Sequence, residues 1–335
     1  MNLSPYLLAV ALALPLTGIA QSRFEVSADG HQVLDRQTNL VWKRCAEGQG
    51  WNGSACVGSA SKLTFDEALV ATANSSGWRL PAIKELFSIA RTDETGLVPE
   101  ANRPSENTGL VFWASTPRAA TPQFTAWGVD LGWATTLPDL RTATNHVRMV
   151  RFAPSLTNSA KSPNDRGVSF KTIAGPDGQP YARTECVLDA VTGLTWEGKP
   201  SDGSFRDKAN RYTNFDNQDK TQVMVSNVPS RPSPDQLTAA TNALTYVKAV
   251  NAAKLCGYSD WRLPSMAELH DLVNFGNAAP PMLDSAWFPN TPTPFFYWTS
   301  EAHPANPTSA RVLNLALGAA RATSRATPGY VRLVR

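Results

Sequence analysis

Trp78-Arg79-Leu80-Pro81, followed by Glu85-Leu86, recurs as Trp261-Arg262-Leu263-Pro264, followed by Glu268-Leu269. Other pairs run in the same order. Asp35 to Trp42 matches Asp189 to Trp196, and Phe112-Trp113-Ala114-Ser115 matches Tyr297-Trp298-Thr299-Ser300. Val147-Arg148-Met149-Val150-Arg151 matches the final Val331-Arg332-Leu333-Val334-Arg335. The partners lie about 184 residues apart, except the opening pair at about 154. Two copies of one module follow, the second carrying about 30 extra residues between its first and second motifs. Solenoid repeats run to only about 20–50 residues, so units of this length are tandem domains.

Gln32 to Trp42 is strand-like, and Thr64 to Asn74 reads as a helix with Thr64 and Glu67 in capping-box positions. Pro81 is placed at a first helical position, with Ile83, Leu86 and Ala90 at helical spacing after it. From Val111 onward the chain becomes short strands punctuated by Gly and Pro. The second copy repeats this order with a longer helix from Gln236 to Lys254. Strands follow helices rather than alternating with them, so the expected class is α+β with antiparallel sheets. The expected divisions are 1–20, 21–152, a Ser/Asn/Pro/Gly-rich linker at 153–182, and 183–335.

At 335 residues, with 42% hydrophobic and 18% charged side chains, the chain is long enough for two ordinary globular domains. A net charge of +3 does not by itself point to nucleic acid. The apolar run Leu7 to Ala20 is too short to span a bilayer and ends in Gly18-Ile19-Ala20, so it reads as a secretory signal cleaved after Ala20. No later segment reads as a membrane span. Four cysteines in an exported chain suggest two disulfides, and one within each copy, Cys45–Cys56 and Cys186–Cys256, is the simplest of three connectivities. A four-cysteine zinc site would need closer paired spacing.

Catalytic constellations are missing. His31, His146, His270 and His303 do not recur between copies, so Ser115 and Ser300 gain no base. There is no Gly-x-Gly-x-x-Gly and no P-loop, and no cofactor is expected. In the second-copy insertion, Pro200 to Asp235, the residues Asp202, Asp207, Asp216 and Asp219 lack the spacing of an EF-hand and read as a solvated loop. No metal site is expected.

The combined motifs resemble the Lcl C-terminal domain family, named for a Legionella collagen-like protein. Those motifs are Asp189-x-x-Thr-Gly-Leu-x-Trp196, Gly257-x-x-Asp-Trp-Arg-Leu-Pro-x-x-x-Glu-Leu269, Tyr-Trp-x-Ser and Val-Arg-x-Val-Arg. Copy one departs modestly, with Asn39 in place of Gly and Ser76-Gly77 before Trp78. The resemblance implies two C-type-lectin-like domains related to the formylglycine-generating-enzyme fold group. Each would have a twisted antiparallel sheet, two helices and long loops. It also implies a binding module, since the family's named member is a surface adhesin for sulfated polysaccharides. Calcium-dependent sugar readers of that fold carry Glu-Pro-Asn or Trp-Asn-Asp. Trp51-Asn52-Gly53 and Phe288-Pro289-Asn290 are the nearest approaches in this chain.

The shared Trp78, Arg79, Glu85, Trp261, Arg262 and Glu268 are expected to be scaffold, each Arg pairing with the Glu in the following helix. After Glu301 the chain has no acidic residue, yet it carries Arg311, Arg321 and Arg325 besides the terminal pair. Arg118, Trp127, Trp133 and Arg141 occupy the matching region of copy one. Arg makes bidentate contacts with sulfate and carboxylate, so these seven residues are the expected ligand contacts. The expected partner is an anionic polysaccharide or another envelope protein, the expected role non-catalytic adhesion, and the expected location the periplasm or cell surface. The alternatives are an enzyme related to formylglycine-generating enzymes and a structural part of a surface appendage.

Overall fold

A computed structural model describes residues 23–90, 110–153 and 169–335, apart from residues 74, 76, 219, 294 and 304. The expected signal segment and residues 154–168 of the expected linker lie outside this range.

The first module opens with β1 (Phe24–Val26), β2 (Gln32–Asp35), β3 (Leu40–Lys43), β4 (Gly50–Trp51), β5 (Cys56–Val57) and β6 (Lys62–Leu63). Helices α1 (Phe65–Ala73) and α2 (Ile83–Ser88) follow. It closes with β7 (Val111–Pro117), β8 (Thr125–Asp130), β9 (Thr135–Leu140), β10 (Asn145–His146) and β11 (Val150–Phe152). The strands form a four-stranded sheet in the order β1-β2-β3-β11, a five-stranded sheet β6-β10-β7-β8-β9, and the hairpin β4-β5. Among the described residues of this module, only the β10–β7 pairing is parallel.

The second module has β12 (Phe170–Lys171), β13 (Cys186–Asp189), β14 (Thr195–Glu197), β15 (Val223–Val225) and β16 (Val228–Ser230). Then come α3 (Pro234–Thr238), α4 (Ala243–Ala252), α5 (Met266–Asp271), β17 (Tyr297–Ala302), β18 (Ser309–Asn314) and β19 (Ala319–Ser324). Its sheets are β12-β13-β14 and β17-β18-β19, with β15-β16 as a separate hairpin. The class is α+β with largely antiparallel sheets, as expected.

Repeated motifs build repeated contacts. Asp35 accepts from the Gln37 N–H and the Thr38 hydroxyl, and Asp189 accepts from Val191 and Thr192 in the same way, so the motif is a turn locked by its own carboxylate. Val150 lies beside Trp42 and bridges Arg79, while Val334 bridges both Trp196 and Arg262. Trp113 donates its indole N–H to the Leu63 carbonyl and Trp298 donates to that of Tyr212, both fully buried. Both expected disulfides are present, Cys45–Cys56 and Cys186–Cys256.

Two helix expectations need correction. Pro81 precedes the N-cap residue Ala82 rather than starting α2, because the Ala82 N–H is needed to reach the Glu85 carboxylate at 2.8 Å. The long helix expected from Gln236 to Lys254 is broken into α3 and α4. Buried Asn242 breaks it: its amide accepts from the Phe215 N–H and donates to the Phe215 and Leu237 carbonyls, tying the insertion to the gap between the helices. The Thr64–Glu67 capping box ahead of α1 is present.

The modules share one core cluster, and each also has a smaller cluster of its own. Ile83, Leu86, Trp127 and Val129 of the first pack in the same cluster as Met266, Leu269, Phe275 and Leu315 of the second. Equivalent positions meet each other. Phe87 and His270 each follow a Glu-Leu pair, and their rings stack at 3.9 Å. Thr136 and Ala320 are each the second residue of an edge strand. The Thr136 hydroxyl donates to the Gly318 carbonyl at 2.9 Å and accepts from the Ala320 N–H at 2.8 Å. Self-meeting of equivalent residues is the mark of an isologous, two-fold interface, contained within one chain.

Candidate functional site

The Trp-Arg-Leu-Pro turns are framework. Arg79 grips Glu85 with two bonds of 2.7 and 2.8 Å, and Arg262 grips Glu268 with two of 2.8 and 2.7 Å. Each acceptor also takes an N–H at the mouth of its helix, from Ala82 or Ser265. Trp261 is buried and donates to the Leu255 carbonyl. Trp78 is only half-buried, with the Arg151 guanidinium 4.9 Å from its ring centroid.

Of the seven expected ligand contacts, three are buried, which corrects that expectation. Arg311 and Trp127 occupy the same position, third in β18 and third in β8, and each reaches into the other module. Arg311 donates to the Ala134 carbonyl and lies 3.7 Å from the Glu301 carboxylate. Trp127 meets Phe275 edge-on at 5.1 Å. Arg325 is buried and donates to the carbonyls of Pro307 and Asn214 and to Asp216. Its counterpart Arg141 braces the matching loop through the Pro122 carbonyl and Asp66, and lies over Phe65. These guanidiniums spend their donors on the fold. Trp133 is half-buried and stacks on His303 across the seam at 5.3 Å, and Arg118 is half-buried after β7.

The aspartates of the insertion are also engaged by the fold. Asp207 accepts the N–H groups of Asp202, Gly203 and Ala209, and Asp216 pairs with Arg325; Asp219 lies outside the described residues. Beneath it lies a buried cluster. Lys199 and the Tyr246 hydroxyl both donate to Glu197, Arg206 approaches it at 3.4 Å, and Arg332 donates to its backbone carbonyl. Burial pushes the Lys199 amine down to about 8 despite that carboxylate.

Arg321 remains exposed, its guanidinium 5.7 Å from the Phe296 ring centroid. Around Phe295, the residue before Phe296, the structure assembles residues not read from the sequence. Tyr212 and Gly329 exchange backbone bonds of 2.7 and 2.9 Å, which brings Arg211 over the Phe295 ring at 4.3 Å. Phe295 is 37% exposed and meets Tyr330 edge-on at 6.0 Å. Gly329 has to be glycine, since a Cβ there would lie 2.5 Å from the Phe296 ring. Among the described residues, neither Arg211 nor Arg321 has a carboxylate or carbonyl partner. A guanidinium laid on an aromatic face is shielded on one side and keeps its edge donors outward, a form suited to a planar oxyanion. One signal was available: in the Phe295-Phe296 doublet entering β17, alternation turns one ring outward. Arg211 gave none, because it sits in a stretch that reads as solvated loop.

The fold and these contacts define a two-module α+β scaffold with arginine–aromatic platforms on its surface. The chain belongs to the Lcl C-terminal domain family, which matches residues 31–151 and 185–335. No curated protein and no solved structure matches it. No helix among the described residues is long and apolar enough to cross a membrane.

Proposed function

We propose that this protein is an exported, non-catalytic binding protein of the cell envelope, adhesin-like, which holds an anionic polymer such as a polysaccharide. The observation that carries this reading is the pair of outward guanidiniums, Arg211 and Arg321, laid over the neighbouring rings of Phe295 and Phe296. The family membership supports it, and on this reading both modules are C-type-lectin-like and residues 1–20 are a secretory signal. Two closed disulfides fit an oxidising compartment and leave no thiol among the four cysteines for formylglycine-type chemistry.

Exposed Arg–oxyanion contacts contribute little singly and are screened over about 10 Å at 0.1 M salt, so affinity should come from several together. Elution from immobilised heparin compares residues 21–335 with the Arg211→Ser/Arg321→Ser variant, after both are confirmed folded. The expected result is a lower elution salt for the variant. Equal elution removes the platform from the site. Failure of the unaltered protein to bind at low salt favours a protein partner. The hairpin β15–β16, which exposes Met224, Val225 and Val228, is the surface that supports that second reading.

A further inference from the structure

His270 is 1% exposed, lies on the seam between the modules, and has its Nε2 buried without a hydrogen-bond partner. Its ring is sandwiched by carbon, stacked on Phe87 and tilted against Phe275. The charged groups facing it are cations. Helix α2 contributes Lys84, whose amine donates across the seam to the Asp271 carbonyl at 2.7 Å. Strand β18 contributes Arg311, committed to Ala134 and Glu301. The carboxylates nearby are engaged elsewhere, Asp271 and Asp189 acting on the Lys84 amine. Glu301 of β17 accepts the Met266 N–H and lies beside Arg311, Glu268 is held by Arg262, and Asp271 is exposed. A proton on His270 would thus add a third cation to an apolar interface that offers it no acceptor. Burial first, then Lys84 and Arg311, hold its pKa well below the ordinary value.

We propose that His270 is an acid trigger built into the seam, and that its protonation loosens the joint between the two modules. The direction follows from proton counting. A histidine freed from the seam titrates near 6.5, while in the closed joint it stays neutral, so the open state takes up the proton as pH falls below that value. Between pH 7.5 and 5.0 the bias toward opening grows by up to about 30-fold. His146 is also buried, but it faces Lys62 and Arg148 inside the first module and serves as a control.

The test is hydrogen exchange on the whole protein at pH 7.5 and 5.0, expressed as protection factors corrected for the intrinsic pH dependence. In the unaltered protein, protection in α2, α5, β9 and β19 should fall by up to about 30-fold at the lower pH, while α1, which packs in a separate cluster of the first module, holds its own. His270→Phe, which repeats Phe87, should abolish the fall. Lys84→Met removes one facing cation and should shrink it, an effect that a purely structural role for the ring would not produce. His146→Gln should leave it unchanged. The idea is overturned if seam protection is pH-independent in the unaltered protein. It is equally overturned if His270→Phe, or His270→Leu should the Phe variant fold poorly, loses as much protection in acid.

Discussion

Arg79 and Arg262 make the same two-pronged grip on carboxylates of different burial. The Glu85 side chain is fully buried, whereas that of Glu268 is 22% exposed. Arg79→Ala removes two hydrogen bonds from a buried carboxylate and should destabilise by about 2–3 kcal/mol, while Arg262→Ala, whose acceptor can rehydrate, should cost about 1 kcal/mol. Paired melting curves will rank them. The Arg262 hydrogen bonds hold the Glu268 carboxyl below its usual range. The stabilisation from that pair is therefore present above about pH 4.5 and lost as pH falls through the depressed value. Trp261→Ala should cost about 3–5 kcal/mol, and Trp78→Ala less, because Trp78 is only half-buried. The legibility of these residues in the sequence followed distance along the chain. Arg79 and Glu85 are six residues apart, and Asp35 and Thr38 three, so motif spacing already contains their chemistry. Arg311 finds Ala134 177 residues away, and no local pattern distinguishes such a cation from one facing a ligand.

At the scale of elements, the extra segment of the second module is held from below rather than merely tethered at its ends. Asn242 stitches it to the helix break, and Glu197 collects the cations beneath it. Replacing Glu197 by Gln leaves Lys199 and Arg206 without their shared countercharge, and should destabilise by about 3–5 kcal/mol in denaturant titrations. Asn242→Ala leaves the Phe215 backbone groups unpaired in the interior, a loss of about 1–3 kcal/mol. The helix break itself was hidden in the sequence, since Gln236 to Lys254 has good helical composition. The competing partner, Phe215, comes from the polar insertion, whose composition suggested no packing role.

At the scale of the molecule, a shared core cluster means that each module leaves part of its apolar surface for the other to cover. Calorimetry should show one transition with calorimetric and van't Hoff enthalpies in agreement, and residues 21–152 alone should aggregate or fail to fold. Two resolved transitions would mean that the seam contributes little. The tandem architecture was legible because a sequence repeat needs no knowledge of packing. The seam was not, because the side chains that close it, Phe87 with His270 and Thr136 with Ala320, are among those in which the copies differ.

That difference has a bearing on how such a chain can change over generations. When identical subunits pair about an axis, every mutation at the axis is inherited by both sides at once, and a side chain there must be compatible with itself. Covalent fusion removes this doubling. Thr136 can supply both a donor and an acceptor because Ala320 opposite asks for only one and takes up little room. Selection can then retune the joint one residue at a time, through substitutions that a symmetric pair would have to accept twice.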